Sequence, residues 1–280
     1  MRFVLAFLVL PLFTGCADEF SSDCEHADYF PELSADPANS AYEDPEVGVS
    51  CSEDSVRVLS NGIPGYEYVP VTPNGLEEQD WEWTFTRNPE PASEITDIPL
   101  LGTAGLTVNG IPIYGPNEGD FPDPYGDPIY NEVVDFCLGH TGGLSDYHYH
   151  SLLVECVLAS YEMSEEDPSP VLGFSLDGFP IYGPRGCVDE DCSEVVEFQS
   201  SWETTGDPTT YAWEANECTR ETCEEASGEY LDQCNGRTGP DGSYRYHATS
   251  TFPYILGCFR GTASSDAGEG EPGQGPPPGP

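Results

Sequence analysis

The apolar and polar positions of this chain alternate over short distances, as they do in strands joined by tight turns. Residues 108–116 read VNGIPIYGP, residues 176–184 read LDGFPIYGP, and a fainter copy, SNGIP, occupies residues 60–64. Asn-Gly or Asp-Gly between apolar residues is a strong signal for a β-hairpin, because both turn residues accept a positive φ. The proline after each turn has no N–H to give to a ladder, which predicts a strand at an edge or a bulge.

Two longer segments also resemble each other, which indicates that the body of the protein is duplicated. The first histidine element, residues 135–150, reads DFCLGHTGGLSDYHYH, and the second histidine element, residues 232–247, reads DQCNGRTGPDGSYRYH. They align without a gap, and no helical period of useful length interrupts the region. The sequence therefore predicts a mainly β fold, in which a duplicated, two-lobed, sandwich-like body has a pseudo-twofold relation.

The two ends of the chain differ from this body. Residues 3–13 are apolar and follow Arg2, a run too short to span a bilayer but typical of a secretory signal peptide over residues 1–15. The sequence LFTGC that ends at Cys16 resembles a bacterial lipobox, which implies lipidation of Cys16. With Ala17 next, that resemblance implies an outer-membrane lipoprotein of the cell envelope, held to the membrane only by its lipid. The alternative is an ordinary secreted protein with a free Cys16.

Composition divides the rest of the chain. Residues 16–52 are polar and acidic and indicate a lipidated tether, whereas residues 53–261 contain the hairpin and histidine elements and form the predicted domain. Residues 262–280 are rich in Gly and Pro and offer almost nothing to bury, so a disordered tail is expected there.

The charge of the chain excludes several classes of partner. Asp and Glu number 51 against 8 Lys and Arg, all of them Arg, which gives a formal net charge of −43. Such an excess repels nucleic acid and anionic lipid. The fractions of hydrophobic residues (38%) and aromatic residues (12%) are too high for a disordered acidic chain, so a folded domain with an acidic surface is expected.

The eleven cysteines fit an exported, disulfide-bonded protein. Assigning Cys16 to a lipid leaves ten, enough for five disulfides. If the two histidine elements are equivalent, each is bracketed by an equivalent bond, and the remaining cysteines pair locally, although ten cysteines allow many other pairings. The expected pairs are Cys24–Cys51, Cys137–Cys156, Cys187–Cys192, Cys218–Cys223 and Cys234–Cys258.

Four of the five histidines fall within the two histidine elements. In an extended strand, His148 and His150 point to one face and the intervening tyrosines to the other, and the two Cα atoms are roughly 6 to 7 Å apart. Neutral imidazole favours Cu, Zn or Ni, and a nearby carboxylate can complete such a site. The candidate metal ligands are His140, His148, His150 and His247, and the candidate carboxylates are Asp135, Asp146 and Asp232.

Other interpretations of these residues stay open. The imidazoles can be purely structural and hydrogen-bonded to carbonyls or carboxylates, or they can line a ligand pocket. No common catalytic motif occurs, so enzymatic activity is undecided, and a metal-dependent reaction built on the histidines is one alternative.

Several separated motifs together resemble the YHYH-domain family of exported proteins. They are the YHYH string, the hairpin element ending IYGP, LDQCNGR at residues 231–237 and TFPYILGCF at residues 251–259, and the resemblance covers about residues 55–261. The second string departs from it by reading YRYH, and Arg237 stands where many members have His. No reaction comes with this resemblance. We therefore expect an exported, envelope-tethered binding module with a histidine-rich Cu or Zn site, or else a structural protein that recognises an envelope partner, an extracellular partner or a glycan.

Overall fold

The structure is a computed structural model that describes residues 20–119, 123–162, 164 and 166–268. The predicted signal peptide (1–15), Cys16 and residues 269–280 lie outside the described residues.

Short strands dominate the described chain. In chain order they are β1 (Val47–Cys51), β2 (Ser55–Ser60), β3 (Trp81–Thr86), β4 (Gly105–Thr107), β5 (Pro112–Ile113), β6 (Gly139–Thr141), β7 (Tyr147–Tyr149), β8 (Val171–Ser175), β9 (Pro180–Tyr182), β10 (Arg185–Cys187), β11 (Val195–Glu197), β12 (Trp202–Thr204), β13 (Asn216–Cys218), β14 (Gly236–Thr238) and β15 (Tyr244–His247). Within the described residues, the helical segments are three 3-10 turns, Glu25–Tyr29, Pro37–Asn39 and Glu221–Cys223, and one α-helix, α1 (Val154–Val157). The predicted mainly β fold is confirmed.

Eight strands form the central sheet, in the order β14-β15-β9-β8-β4-β5-β7-β6. Strands β4 and β8 pair antiparallel in the middle. On one side β5 runs parallel to β7, and on the other β9 runs parallel to β15. Each end of the sheet is an antiparallel hairpin, β6–β7 or β14–β15. The two histidine elements thus lie at opposite ends of one sheet, in matching arrangements.

A second layer packs against this sheet. Strands β1, β2 and β3 form a three-stranded antiparallel sheet, and β3, which reads WEWTFT, buries every second residue. Its Phe85 stacks on Phe174 of β8 with the ring centroids 5.4 Å apart. The inward residues of both layers join one hydrophobic core, while β10–β11 and β12–β13 form two separate two-stranded sheets.

The two tight-turn motifs form hairpins as predicted. Gly110 (φ +81°) lies in the turn between β4 and β5, and Gly178 (φ +90°) in the turn between β8 and β9. Pro112 and Pro180, however, begin strands inside the sheet rather than at its edge, and of the ladders these strands form with β4 and β8, only the β8–β9 ladder contains a bulge, between Val171 and Gly173. The ladder tolerates each proline because it is the first residue of its strand, where the missing N–H interrupts no further pairing.

Residues 20–52 belong to the folded body, which corrects their interpretation as a tether. Strand β1 pairs with β2 along its whole length, and the ring of His26 lies 5.5 Å from that of Phe174. The pairing shields the edge of β2, and the bond between Cys24 and the buried Cys51 fastens the segment to the sheet.

The first part of the expected disordered tail is also ordered. Within residues 262–268, Ser264 N donates to Leu176 O at 2.8 Å, and Asp266 Oδ2 accepts from Thr84 N at 2.7 Å. Composition did not indicate this, because the segment is held by backbone groups, one carboxylate and only two small apolar side chains, Ala263 and Ala267, which pack against the core.

Five disulfides cross-link the described chain, and they join the pairs expected from the sequence. They are Cys24–Cys51, Cys137–Cys156, Cys187–Cys192, Cys218–Cys223 and Cys234–Cys258. Among the residues that the structure describes, none of the helices has the length and apolar character needed to cross a membrane.

Candidate metal centre

Four buried side chains converge at the β6–β7 end of the central sheet. His140 on β6 and His148 on β7 lie directly opposite each other in the antiparallel register. His150 lies two residues after His148, on the same face and directly after the end of β7, and Glu118 comes from the loop after β5. One ligand atom from each of these four residues lies within 4.8 Å of all the others. The three imidazole centroids form a nearly equilateral triangle with sides of 4.8, 4.9 and 4.9 Å.

Backbone carbonyls set the orientation and tautomer of two of these rings. The Nδ1 atom of His140 lies 2.7 Å from Val133 O, and that of His150 lies 2.7 Å from Gly115 O. A carbonyl only accepts, so each Nδ1 carries the proton, and each neutral ring keeps its lone pair on Nε2. This carbonyl–imidazole arrangement is the one that commonly fixes metal-binding histidines.

The two lone pairs face each other and a carboxylate. The Nε2 atoms of His140 and His150 are 3.2 Å apart, and Glu118 Oε1 lies 3.2 Å from the first and 2.8 Å from the second. Glu118 Oε1 is buried and receives no well-aligned hydrogen bond from the described residues. Three electron-rich atoms in such close contact need a proton or a cation between them.

The third histidine has different partners. His148 Nδ1 lies 3.3 Å from Asp146 Oδ2, which also accepts a 2.8 Å hydrogen bond from the hydroxyl of Tyr114. The Tyr114 ring stacks on the His148 ring, with centroids 4.0 Å apart and an interplanar angle of 10°. The Asp146 carboxylate therefore holds the Nδ1 proton and leaves His148 Nε2 free to bind.

The charges of the cluster suit a cation. Burial opposes ionisation of Glu118, but when no cation is present, positive charge on the neighbouring His140 and His150 rings holds the pKa of its carboxyl well below the usual value. Against the opposing effect of burial, Glu118 in turn raises the pKa of His140. Burial lowers the pKa of His148 to about 4, so this ring is neutral at pH 7. The site thus combines an ionised carboxylate with at least one neutral imidazole in a nearly dry environment.

The alternating tyrosines point away from the cluster, as period-two geometry predicts. Tyr147 is fully buried, and its hydroxyl donates to Asp135 at 2.9 Å. Tyr149 is also fully buried, and its hydroxyl accepts hydrogen bonds from Tyr66 at 2.8 Å and from Asn109 at 3.1 Å. The Asp135 carboxylate, which the sequence analysis named as a candidate ligand, is thus hydrogen-bonded to Tyr147 instead.

His247 does not join the other three histidines. It lies on β15, and its Nδ1 is 2.9 Å from Gly183 O, in the position that corresponds to His150 and Gly115. Five strand spacings separate β7 from β15, roughly 24 Å along the sheet at about 4.8 Å per spacing. The expectation that His247 completes the metal set is therefore corrected. Asp232 lies in the same distant half, bonded to Tyr244.

Glu118, which sequence reasoning missed, supplies the carboxylate. Its position follows IYGP by two residues, and the corresponding position after the other IYGP is Gly186. The half with three histidines has Glu there, and the half in which arginines replace two of them has Gly. That difference between the two halves was the signal that could have revealed the fourth residue of the cluster.

The arrangement defines a disulfide-stapled β protein with a buried histidine–carboxylate cluster. The family model described as "YHYH protein" matches residues 82–261, nearly two thirds of the chain. The chain therefore belongs to the YHYH family, and the resemblance expected from its motifs is confirmed. No curated protein and no solved structure matches the chain significantly.

Proposed function

We propose that this protein is an exported, envelope-tethered binding module that holds one transition-metal ion, zinc or copper. The ligands are Glu118, His140, His148 and His150. The observation that carries the proposal is the close approach of the Nε2 atoms of His140 and His150, whose Nδ1 atoms are both committed to backbone carbonyls.

The separations support a tetrahedral ion. Nitrogen ligands lie about 2.0 to 2.1 Å from zinc, so two ligand atoms of a regular tetrahedron are about 3.3 Å apart. The Nε2 atoms of His140 and His150 are 3.2 Å apart, and their distances to Glu118 Oε1 are 3.2 and 2.8 Å. Three of the distances between ligand atoms are thus already close to those that a tetrahedral ion requires.

The chemistry of the ligands favours zinc or copper over calcium or magnesium. Ca²⁺ and Mg²⁺ prefer six or more oxygen ligands, whereas imidazole suits Zn and Cu. The cluster offers three imidazoles and one carboxylate, and all four residues are at least 92% buried. The acidic surface attracts cations to the protein, but the buried histidines determine which cation is retained.

The proposal that the protein is exported and attached to the membrane rests on the first sixteen residues. The apolar run of residues 3–13 and the LFTGC sequence support secretion and lipidation of Cys16. Labelling cells with a fatty-acid analogue tests this part separately. We expect label on the wild-type chain and none on a Cys16→Ser variant, and an unlabelled wild type would overturn lipid tethering.

Metal titration tests the site. The mature chain carrying Cys16→Ser is treated with a chelator and titrated with Zn²⁺ and Cu²⁺ in competition with a chromophoric chelator. We expect one tight site per chain, and we expect His148→Ala/His150→Ala to weaken it at least 100-fold, because two of four ligands are lost.

A matched control separates the site from the acidic surface. His26 lies outside the cluster, against Phe174, so His26→Ala should bind as tightly as the wild type. Near-UV circular dichroism verifies that each variant is folded. Equal, weak affinity in the wild type and the double variant would overturn the metal site and leave the histidines with a structural role only.

A further inference from the structure

The opposite end of the central sheet holds a cavity of about 150 Å³ with an unusual lining for so acidic a chain. Three of the eight arginines of the protein contribute to it, together with His247 and Tyr182; the arginines are Arg185, Arg237 and Arg245. Arg237 and Arg245 oppose each other across β14–β15, just as His140 and His148 do across β6–β7. This end therefore presents guanidinium groups where the other end presents imidazoles.

The cavity carries positive charge that the described residues only partly neutralise. Arg245 forms an ion pair with Asp241, whose side chain is 63% exposed at the rim. Among the described residues, neither Arg185 nor Arg237 has a carboxylate within ion-pair distance. His247 adds no charge, because burial lowers its pKa to about 3. Three guanidinium groups and one carboxylate leave the cavity with two uncompensated positive charges.

Two donors of these arginines have no acceptor among the described residues. The Nε atoms of Arg185 and Arg245 are both buried, and neither makes a hydrogen bond to any described residue. A buried donor attached to a charged group is costly to leave unpaired, so both guanidinium groups gain electrostatically from an anion nearby.

Two of the three guanidinium groups are held in place by contacts within the protein. The Arg245 guanidinium lies over the Tyr182 ring at 4.7 Å, and that of Arg237 lies over the Phe198 ring at 4.6 Å. Arg237 also donates to Val188 O at 3.0 Å and to Gly228 O at 2.9 Å. Planar guanidinium groups that are fixed in this way recognise phosphate-like groups through paired hydrogen bonds.

We propose that this cavity binds a tetrahedral oxyanion, phosphate or sulfate. The volume fits this class, because 150 Å³ is the share of roughly five water molecules, enough for such an ion but not for a nucleotide. The proposal is independent of the metal centre, which lies at the other end of the sheet and uses none of these residues.

Isothermal titration of the full mature chain tests the proposal. Chelator-treated protein receives inorganic phosphate, sulfate or phosphoserine, each at constant ionic strength against a chloride reference. We expect one saturable site for phosphate or sulfate. Phosphoserine, a phosphate monoester, tests whether the site takes only the free ion. If phosphoserine binds as tightly as inorganic phosphate, the cavity is open enough to accept an ester. The strongly negative net charge of the chain suppresses non-specific anion binding, so a saturable signal reports a built site.

Two variants and a control complete the test. Arg185→Gln should weaken phosphate binding at least tenfold, and Arg245→Lys should weaken it as well, because lysine keeps the charge but loses the planar fork. Arg220→Gln, at an exposed ion pair with Glu203, should bind like the wild type. Retained anion binding in His148→Ala/His150→Ala would show that the anion does not use a bound metal. No saturable binding in the wild type, or unchanged affinity in Arg185→Gln, overturns the proposal. If Arg185→Gln does not fold, Arg245→Lys decides in its place.

Discussion

The Tyr114 ring stacks on the His148 ring, and the Tyr114 hydroxyl binds the Asp146 carboxylate, which orients His148. The ring centroids are 4.0 Å apart, and the Tyr114 hydroxyl donates to Asp146 Oδ2 at 2.8 Å, beside His148 Nδ1. The ring fixes the plane of the imidazole, and the hydroxyl fixes the carboxylate that holds the Nδ1 proton. Tyr114 is therefore expected to act on the proposed metal centre through His148 without being a ligand itself.

We expect Tyr114→Phe to weaken zinc or copper binding about tenfold while leaving one site per chain. The substitution keeps the stacked ring and removes only the hydrogen bond to Asp146, and loss of such an outer partner typically costs 10- to 100-fold in affinity. Chelator competition measures the change. Tyr182→Phe, the corresponding change beside His247, is the matched control and should bind like the wild type. Equal affinity in Tyr114→Phe and the wild type would contradict a positioning role.

Replacing Glu118 by Gln tests the one negatively charged ligand of the cluster. Gln keeps the size of the side chain but loses the charge that offsets the cation, so we expect metal affinity to fall at least 30-fold at pH 7. The exposed Glu155 on α1 provides the control, and Glu155→Gln should leave the affinity unchanged. If Glu118→Gln binds as tightly as the wild type, the three histidines hold the ion without the carboxylate.

Asp232 should make the stability of the protein depend on pH. Burial outweighs the hydrogen bond from Tyr244 and raises the pKa of Asp232 to about 6, whereas the same carboxyl in an unfolded chain has its ordinary pKa of 3.8. Between these values the folded state keeps a proton that the unfolded state releases, so stability falls as pH rises from about 4 to about 6. The difference between these two pKa values corresponds to roughly 3 kcal/mol of folding free energy.

Urea unfolding of the wild type and Asp232→Asn at pH 4, 5, 6 and 7 measures this contribution. The advantage of the wild type over the variant should shrink by roughly 3 kcal/mol across that range. The exposed Asp80 serves as the control, since Asp80→Asn should follow the wild-type profile. Parallel profiles for the wild type and Asp232→Asn would rule out the raised pKa.

The disulfides should differ in their contribution to stability. Cys137–Cys156 closes a loop with a sequence separation of 19, and Cys218–Cys223 one with a separation of 5. Loop-closure entropy predicts losses of about 3 and about 2 kcal/mol, respectively, when each pair is changed to alanine. Thermal unfolding of the two double variants compares them directly.

Loss of the longer disulfide should also reach the metal centre. Leu138 O, next to Cys137, accepts a hydrogen bond from His150 N at 3.0 Å, so freeing this segment loosens one ligand. We expect weaker zinc binding in Cys137→Ala/Cys156→Ala and unchanged binding in Cys218→Ala/Cys223→Ala. The reverse order of affinities would show that the disulfide does not support the site.

Much of the local structure followed from short-range rules. The alternation Tyr147-His148-Tyr149-His150 put both imidazoles on one face, because successive side chains of an extended backbone point in opposite directions. The glycine at each tight turn predicted the hairpins, because it accepts the positive φ that the turn requires. Each of these features depends on residues that are close in the sequence.

Only the tertiary structure decided which residues share a site. Glu118 reaches the histidines because β5 pairs with β7, and His247 stays away because β8, β9 and the pair β4–β5 lie between the two histidine elements. Likewise, residues 20–52 joined the body through the pairing of β1 with β2, although their composition indicated a tether. The order of strands in a sheet depends on how the whole core packs, whereas local patterning determines only which face of a strand each side chain occupies.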